Sequence, residues 1–366
     1  MKILITGGHL TPALSVIEEI KRVKPDTEII FVGRKYAFDS EKTISLEYKE
    51  ITRRKINFIP IQAGRLTRIL TISSIRSFLR IPLGFLNAFH IVNTWRPDVV
   101  MSFGSYVALP IVFWSYLYKI KIYTHEQTSK PGLSNRLISF FAKKVFVSFE
   151  ETTKYFPVKK VVVTGNPVRS FKVNDKKAPF MIKKDRPIIY ITGGSLGSHS
   201  INIHIKNILS ELLKDYIVIH QTGDTKEYRD YETMIKEKDK LPKNFSERYF
   251  PVKHLYEEEV AYVYSIADLV IGRSGANTFF ELVNYHLPAV LIPLPWASGR
   301  EQQHHAEILA KSNVGEIFHQ IEASDKLVRI INKMMNNLDL YKNNFAKFNK
   351  LYKDDAGKYI VKQILS

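Results

Sequence analysis

Residues 267–309 read ADLVIGRSGANTFFELVNYHLPAVLIPLPWASGREQQHHAEIL. A short apolar run, Leu269–Ile271, ends in the turn Arg273-Ser274-Gly275-Ala276. An amphipathic stretch follows over Ala276–Tyr285, then a second apolar run at Ala289–Ile292, a polar loop, and a helix-like segment at Gln302–Ser312. Strand, helix, strand and helix in this order predict parallel strands with helices packed on both faces of a sheet.

The same alternation extends in both directions. Upstream in this half, strands are expected at Pro187–Thr192, Tyr216–His220 and Arg248–Val252, with helices at Ser200–Leu213 and Glu257–Ile266. Downstream come a strand at Gly315–Phe318, a helix at Ser324–Asn336 and two helical stretches within Tyr341–Ser366. The first half repeats the design. Its strands are expected at Lys2–Thr6, Glu28–Val32, Phe58–Ile61, Asp98–Ser102, Lys121–Thr124, Lys144–Val147 and Val161–Thr164. Its helices are expected at Pro12–Arg22, Ser74–Trp95, Tyr106–Tyr118 and Gly132–Phe141. The polar, basic and proline-punctuated segment 166–186 reads as a linker. The expected organisation is α/β: a Rossmann-like domain over 1–165, a second over 187–345, and a tail, 346–366, packing back on the first.

Composition supports two full cores, with 366 residues and 45% hydrophobic content. Cysteine is absent, which excludes disulfides, thiolate metal sites and cysteine nucleophiles and fits a reducing compartment. Neither a signal peptide nor an apolar run long enough to span a bilayer is read in the chain. The net charge of +18 favours polyanionic partners: anionic lipid, phosphorylated substrate or nucleic acid.

In open α/β sheets ligands lie beyond the carboxyl ends of the strands. Three glycine turns fall there: Thr6-Gly7-Gly8-His9, Thr192-Gly193-Gly194-Ser195-Leu196-Gly197, and Arg273-Ser274-Gly275-Ala276-Asn277-Thr278. Glycine lets backbone N–H groups approach a phosphate, and a helix N-terminus adds a favourable dipole. None matches G-x-G-x-x-G, so nicotinamide binding is not indicated. His9 follows the first turn directly, and an imidazole there suits general-base chemistry.

The run 267–309 resembles the nucleotide-binding signature of glycosyltransferase family 28. Further matches follow in order: TGGHLTPAL, QAGRLTR, PDVVMSFGSYVALP, HEQTSKPGLSNRL, TGNPVRS and TGGSLGSHSIN. The resemblance covers essentially the whole chain and implies the GT-B architecture, two Rossmann-like domains facing across a cleft. It implies transfer of N-acetylglucosamine from UDP-GlcNAc to a lipid-linked muramyl-peptide in peptidoglycan synthesis. The reaction would be an inverting, single in-line displacement at the cytoplasmic face of the membrane. For the donor, Glu281 would hold the ribose and Ser195 with Gly194 the diphosphate. Arg169 would stabilise the leaving UDP, and Ala276, Asn277 and Thr278 would line the sugar-phosphate pocket. Gln302 would bind sugar hydroxyls beside Glu301, and uracil would be read within Phe250–Leu255. For the acceptor, the resemblance points to Gly7, Gly8, Tyr106, His125, Gln127 and Asn135. His9 is the first choice of base and Glu126 the second. No Asp-x-Asp occurs, so no metal or cofactor is implied; helix dipoles and Arg169 would take over that charge stabilisation.

The chain departs from the family in four places. The first glycine loop is about three residues shorter than G-G-x-T-G-G-H. Thr128 stands where asparagine usually follows H-E-Q, Glu301-Gln302 replaces H-Q, and His305 replaces an asparagine.

Between residues 51 and 97 there are eight Lys or Arg and no acid. Arg65, Arg68, Arg76 and Arg80 alternate there with Ile69, Ile72, Ile75 and Leu79, a mixture suited to docking on an anionic bilayer surface. No nucleic-acid motif accompanies the charge. Other readings stay open: transfer to diacylglycerol or another polyprenyl-linked sugar, a UDP-GlcNAc 2-epimerase of the same architecture, or a binding protein without turnover.

Overall fold

The computed structural model describes residues 1–38, 41–61, 81–168, 178–194, 196–225, 227–296, 300–348 and 356–366. The chain divides into two compact units, Met1–Arg169 with Lys353–Ser366, and Ser170–Tyr352.

In the first unit the elements run β1 Lys2–Thr6, α1 Leu10–Val23, β2 Glu28–Gly33, β3 Tyr36–Phe38, β4 Glu41–Ile44, α2 Leu46–Arg53, β5 Asn57–Pro60 and α3 Ile81–Trp95. They continue with β6 Val99–Ser102, α4 Ala108–Leu117, β7 Lys121–Glu126, α5 Leu133–Phe141, β8 Lys144–Val147, a 3₁₀ turn over Glu150–Tyr155, and β9 Val161–Val163. Seven strands form one sheet in the order β5-β2-β1-β6-β7-β8-β9, and every pair in it is parallel. β3 and β4 form a separate antiparallel hairpin.

In the second unit the elements run β10 Ile188–Thr192, α6 His199–Asp215, β11 Ile217–Gln221, α7 Asp230–Asp239, α8 Lys243–Ser246, β12 Tyr249–Val252, α9 Glu257–Ile266 and β13 Leu269–Gly272. Then come α10 Ala276–Tyr285, β14 Ala289–Leu291, α11 Glu301–Lys311, β15 Gly315–Ile317, α12 Ser324–Asn336 and α13 Leu338–Phe348. Six strands pair in the order β12-β11-β10-β13-β14-β15, again all parallel. The last helix, α14 Ala356–Leu365, belongs to the first unit. There Ile360, Val361 and Ile364 share a core with Ile3, Leu14 and Ile17.

The sequence explains these elements. Central strands such as β10 (IIYIT) are buried at every position, as a sheet covered on both faces requires. Each Ile or Val so buried is worth about 1.5–3 kcal/mol relative to exposure. In α1, Pro12 falls in the first turn, where its missing N–H is not needed. Ala13, Val16, Ile17 and Ile20 line the buried face of that helix, and Lys21 and Arg22 stand in its last turn, where cations favour the dipole.

The structure departs from the sequence expectations locally. The hairpin β3–β4 and helix α2 were not anticipated, since RKYAFDSEKTISLEYKEITRR carries mixed charge without a clear period, and neither were helices α7 and α8. The helix expected from Ser74 is observed over Ile81–Trp95; residues 62–80, with Arg65, Arg68, Ile69, Ile72, Ile75, Arg76, Leu79 and Arg80, lie outside the described residues. Residues 178–186, expected within a linker, pack on the second unit. Phe180 lies 5.2 Å from the Phe250 ring, and Arg186 donates to the Lys214 carbonyl at 2.8 Å.

In both sheets chain order reverses beside the first strand, between β1 and β6 and between β10 and β13. The loops after these four strands are where an α/β sheet of this topology binds ligands.

Candidate active site residues

In the first unit, β1 delivers Gly7 and Gly8 to the reversal point. Gly7 is buried because α2 places a carboxylate on it: a Cβ built at Gly7 would lie 1.4 Å from Glu47 Oε1. The same carboxyl group covers Gly33, and one of its oxygens accepts the Arg34 N–H at 3.2 Å. Burial pushes Glu47 up to about 7. Gly8 passes so close to β6's loop that a Cβ would fall 2.4 Å from the Phe103 carbonyl.

His9 opens α1 in an extended conformation, and its carbonyl accepts the Ala13 N–H at 3.4 Å. Its Nδ1 lies 2.6 Å from Gln127 Nε2 at the end of β7. Desolvation lowers the His9 imidazole below its ordinary 6.5, with the Glu126 charge opposing that shift.

Glu126 is 2% exposed, and its carboxylate is surrounded by donors. Oε1 accepts the Thr128 N–H at 3.0 Å and the Thr128 hydroxyl at 2.7 Å. Oε2 accepts the Gly132 N–H at 3.3 Å and Asn135 Nδ2 at 2.9 Å. These four bonds tie the loop after β7 to the Glu126 carboxylate. Thr128, which departs from the family pattern, supplies two of the four bonds.

Asn135 also donates to the His125 carbonyl at 3.1 Å and accepts the Thr124 hydroxyl at 2.9 Å. His125 is fully buried and held at Nε2 by the Gly165 carbonyl and Ser148 Oγ, both at 3.3 Å; burial drives it down to about 3, so it stays neutral. Tyr106 is half-buried, with the Arg34 guanidinium 5.7 Å from its ring. Asn166, 3% exposed, has no hydrogen-bond partner for either amide atom among the described residues.

In the second unit the turn after β10 is built on left-handed glycines: Gly194 has φ +85° and Gly197 φ +78°. Gln221, at the end of β11, fastens it. Its Nε2 donates to the Gly194 carbonyl at 2.8 Å, while Oε1 accepts the Leu255 N–H at 3.1 Å and the Tyr190 hydroxyl at 3.3 Å. The Leu255 amide, at the end of the segment Phe250–Leu255 expected to read uracil, is thus committed to Gln221.

Arg273, after β13, reaches back to α6. It donates to Ser198 Oγ at 2.7 Å, Ser200 Oγ at 2.8 Å, Gln320 Oε1 at 3.0 Å and the Ile292 carbonyl at 2.9 Å. All four acceptors are neutral, and burial lowers the guanidinium to about 10. A cation therefore stands beside the start of α6 without neutralisation by these partners.

Ala276, Asn277 and Thr278 form the first turn of α10, whose N-cap is Gly275. One turn on, Glu281 Oε2 accepts the Tyr264 hydroxyl at 3.0 Å. Gln302 uses Oε1 to accept the Leu294 N–H at 3.0 Å, and its carbonyl accepts the Ser274 hydroxyl at 2.7 Å. Glu301 begins α11 and is partly exposed. His305 is fully buried, with Nδ1 3.0 Å from the Ser274 carbonyl, and is lowered to about 4 by burial. Arg169 and Ser195 lie outside the described residues.

The first unit therefore brings together Gly7, Gly8, His9, His125, Glu126, Gln127 and Asn135 at the carboxyl ends of β1 and β7. The second brings Gly194 to β10 and Ala276, Asn277, Thr278 and Glu281 to α10. Sequence reasoning missed Glu47, Gln221 and the bonds of Arg273. A strand-terminal glutamine carries no pattern of its own, and Glu47 sits in the segment without a clear period. Arg273 lies in the turn after β13, where local sequence does not reveal that its guanidinium reaches α6. Among the described residues no three His, Cys, Asp or Glu side chains gather as a metal site.

Comparison with known proteins bears on both units. Residues 6–147 match the glycosyltransferase family 28 N-terminal domain and residues 188–359 the glycosyltransferase family 28 C-terminal domain. The chain is 31% identical, over 95% of each sequence, to a UDP-N-acetylglucosamine--N-acetylmuramyl-(pentapeptide) pyrophosphoryl-undecaprenol N-acetylglucosamine transferase 2 of Bacillus thuringiensis subsp. konkukian. In structure it is similar to MurG of Acinetobacter baumannii, with TM-score 0.71, 24% identity, and coverage of 100% of this chain and 99% of that one. It is also similar to the UDP-GlcNAc 2-epimerase of Neisseria meningitidis, with TM-score 0.68, 13% identity and full coverage of both chains. These likenesses bear out the α/β, GT-B architecture of two Rossmann-like domains. At such identities they show the fold alone.

Proposed function

Since the chain belongs to glycosyltransferase family 28, we propose that it transfers N-acetylglucosamine from UDP-GlcNAc to a lipid-linked muramyl-peptide, with inversion at the anomeric carbon. The observation that carries this reading is the end-to-end match to a relative bearing that name, 31% identical over 95% of both sequences. The geometry supports the chemical roles.

His9 is the general base. A neutral imidazole is required, and its lowered pKa keeps it neutral at physiological pH. The acceptor hydroxyl gives its proton to His9 as its oxygen bonds to the anomeric carbon. The bond from that carbon to the diphosphate oxygen breaks, and its electron pair leaves with UDP. Charge growing on UDP is met by amides of the turn around Gly194 and the start of α6, by Arg169 and by the Arg273 guanidinium. Glu281 takes the ribose, Ser195 the diphosphate, and Ala276, Asn277, Thr278, Glu301 and Gln302 the sugar-phosphate side. Glu126 acts by holding the loop after β7 rather than as the base, because four donors already fill its carboxylate.

A peripheral place on the cytoplasmic face of the membrane suits this acceptor. No helix among the described residues is long and apolar enough to cross a membrane. Leu83 and Leu86 on α3, Tyr116 and Leu117 on α4, and Leu133 and Phe140 on α5 are each more than half exposed. Apolar side chains on three neighbouring helices, following the basic segment 65–80, support docking on anionic lipid.

The test is transfer itself. Full-length protein with UDP-GlcNAc and the lipid-linked muramyl-peptide releases UDP and yields a disaccharide lipid, identified by mass spectrometry. Absence of transfer across a panel of lipid acceptors rules the reading out. Turnover of UDP-GlcNAc with no acceptor present favours the epimerase instead.

A further inference from the structure

We propose that Gln127 is a positioning residue that sets where the proton sits on His9, by turning its amide between two hydrogen-bonded states. This deepens the transferase reading and rests on His9 as its base.

The two side chains come from residues 118 apart in sequence and meet at 2.6 Å, Gln127 Nε2 to His9 Nδ1. Gln127 is 8% exposed, and its Oε1 is buried without a hydrogen-bond partner among the described residues. An amide presents a donor from one end and an acceptor from the other. When Nε2 donates to Nδ1, the neutral imidazole carries its proton on Nε2 and has no lone pair there to accept another. The amide oxygen is then left buried and unsatisfied, which is costly. Rotation of the amide by half a turn exchanges its two ends, and the amide nitrogen then takes the unpartnered place. Oε1 accepts from Nδ1–H, and the imidazole Nε2 lone pair is free.

Only the turned state is competent for the reaction. The acceptor O–H bond breaks, its proton passes to His9 Nε2, and Nδ1–H stays donated to Gln127 Oε1 throughout. The imidazolium thus formed has a partner for its inner proton. The new oxygen–carbon bond forms as UDP departs, and His9 later returns its proton to water. The other groups around the pair fit this assignment. The filled Glu126 carboxylate lies close enough to influence the His9 charge, while His125 is buried, neutral and held by Gly165 and Ser148.

The experiment is ¹⁵N NMR of the full chain labelled at histidine, with the His9 signals assigned by their loss in His9→Asn. Gln127→Glu places a carboxylate against Nδ1, and the His9 pKa is expected to rise by about one unit or more. Gln127→Met keeps the volume and removes the amide, and the balance of the two neutral His9 tautomers in the spectrum is expected to change. An unchanged His9 pKa in a folded Gln127→Glu protein, or an unchanged tautomer in Gln127→Met, overturns the proposal. These readouts need no turnover. The low-pH limb of kcat/KM is then measured for Gln127→Glu. A limb that moves with the imidazole supports both the pair and the base. An imidazole that moves without the limb upholds the pair and removes His9 as base.

Discussion

Gly197 and Gly223 are pressed backbone to backbone. A Cβ built on Gly223 would fall 2.5 Å from the Gly197 Cα, and one built on Gly197 would fall 2.7 Å from the Gly223 Cα. The turn after β10 is thereby seated on the loop after β11.

Gly223→Ala tests that seat. The added methyl would meet the Leu196 carbonyl at 2.2 Å at a residue whose φ is +89°, so both clash and backbone strain oppose it. The expected loss is about 2 kcal/mol or more of stability, with UDP affinity weakened at least ~10-fold because the turn's amides move. Gly194→Ala separates the two effects. Its φ is +85°, but no atom lies within 4 Å of its Cβ position. It should lose only the roughly 1–2 kcal/mol of left-handed strain. Thermal melts and titration calorimetry with UDP read both.

The pH profile reports on His9. Its pKa lies below 6.5, lowered by desolvation, so the neutral base persists from alkaline pH down through neutrality. The expected kcat/KM is flat above 6.5 and falls only below it. His9→Ala should cut kcat by about 10²–10⁴-fold and leave UDP affinity unchanged. Equal turnover in His9→Ala takes His9 out of the mechanism.

Buried neutral histidines make the fold sensitive to acid. His125 and His220 are driven to about 3 and His305 to about 4, against 6.5 when unfolded. Below 6.5 the unfolded chain binds protons that the folded one refuses. Their stabilising contribution is therefore present above 6.5 and lost as pH falls toward the folded values. Each costs about 2 kcal/mol by pH 5. His220 bridges Asn202 Oδ1 at 3.0 Å and the Tyr249 hydroxyl at 2.9 Å, so His220→Gln keeps a polar group while deleting one titration. Urea unfolding from pH 7.5 to 5 should show a shallower loss in the variant; an identical slope removes His220 from the account.

Glu47 titrates in the opposite sense. Its folded pKa is about 7 against 4.5, so its contribution is fully present below 4.5 and lost as pH rises through 7. Glu47→Gln should come close to the native protein near pH 4.5 and exceed it at pH 8, by about 3 kcal/mol. A variant no more stable than native at pH 8 shows that the carboxylate is ionised without penalty.

Much of the architecture was legible in the chain itself. Apolar runs such as Ile188–Thr192, separated by amphipathic segments, determined parallel sheets with helices on both faces, because a strand buried on both sides has no polar face. Glycines directly after the β1 and β10 strands marked tight turns at the strand ends, because close approach and positive φ select glycine locally. Motif order determined the family. Tertiary structure alone decided the rest: His9 against Gln127, Glu47 beneath Gly7, Gln221 between Gly194 and Leu255, and four donors on Glu126. Periodicity reports which face of an element is buried. Which side chains meet at the strand ends depends on strand order and register, and residues 118 apart become neighbours only when the sheet is assembled.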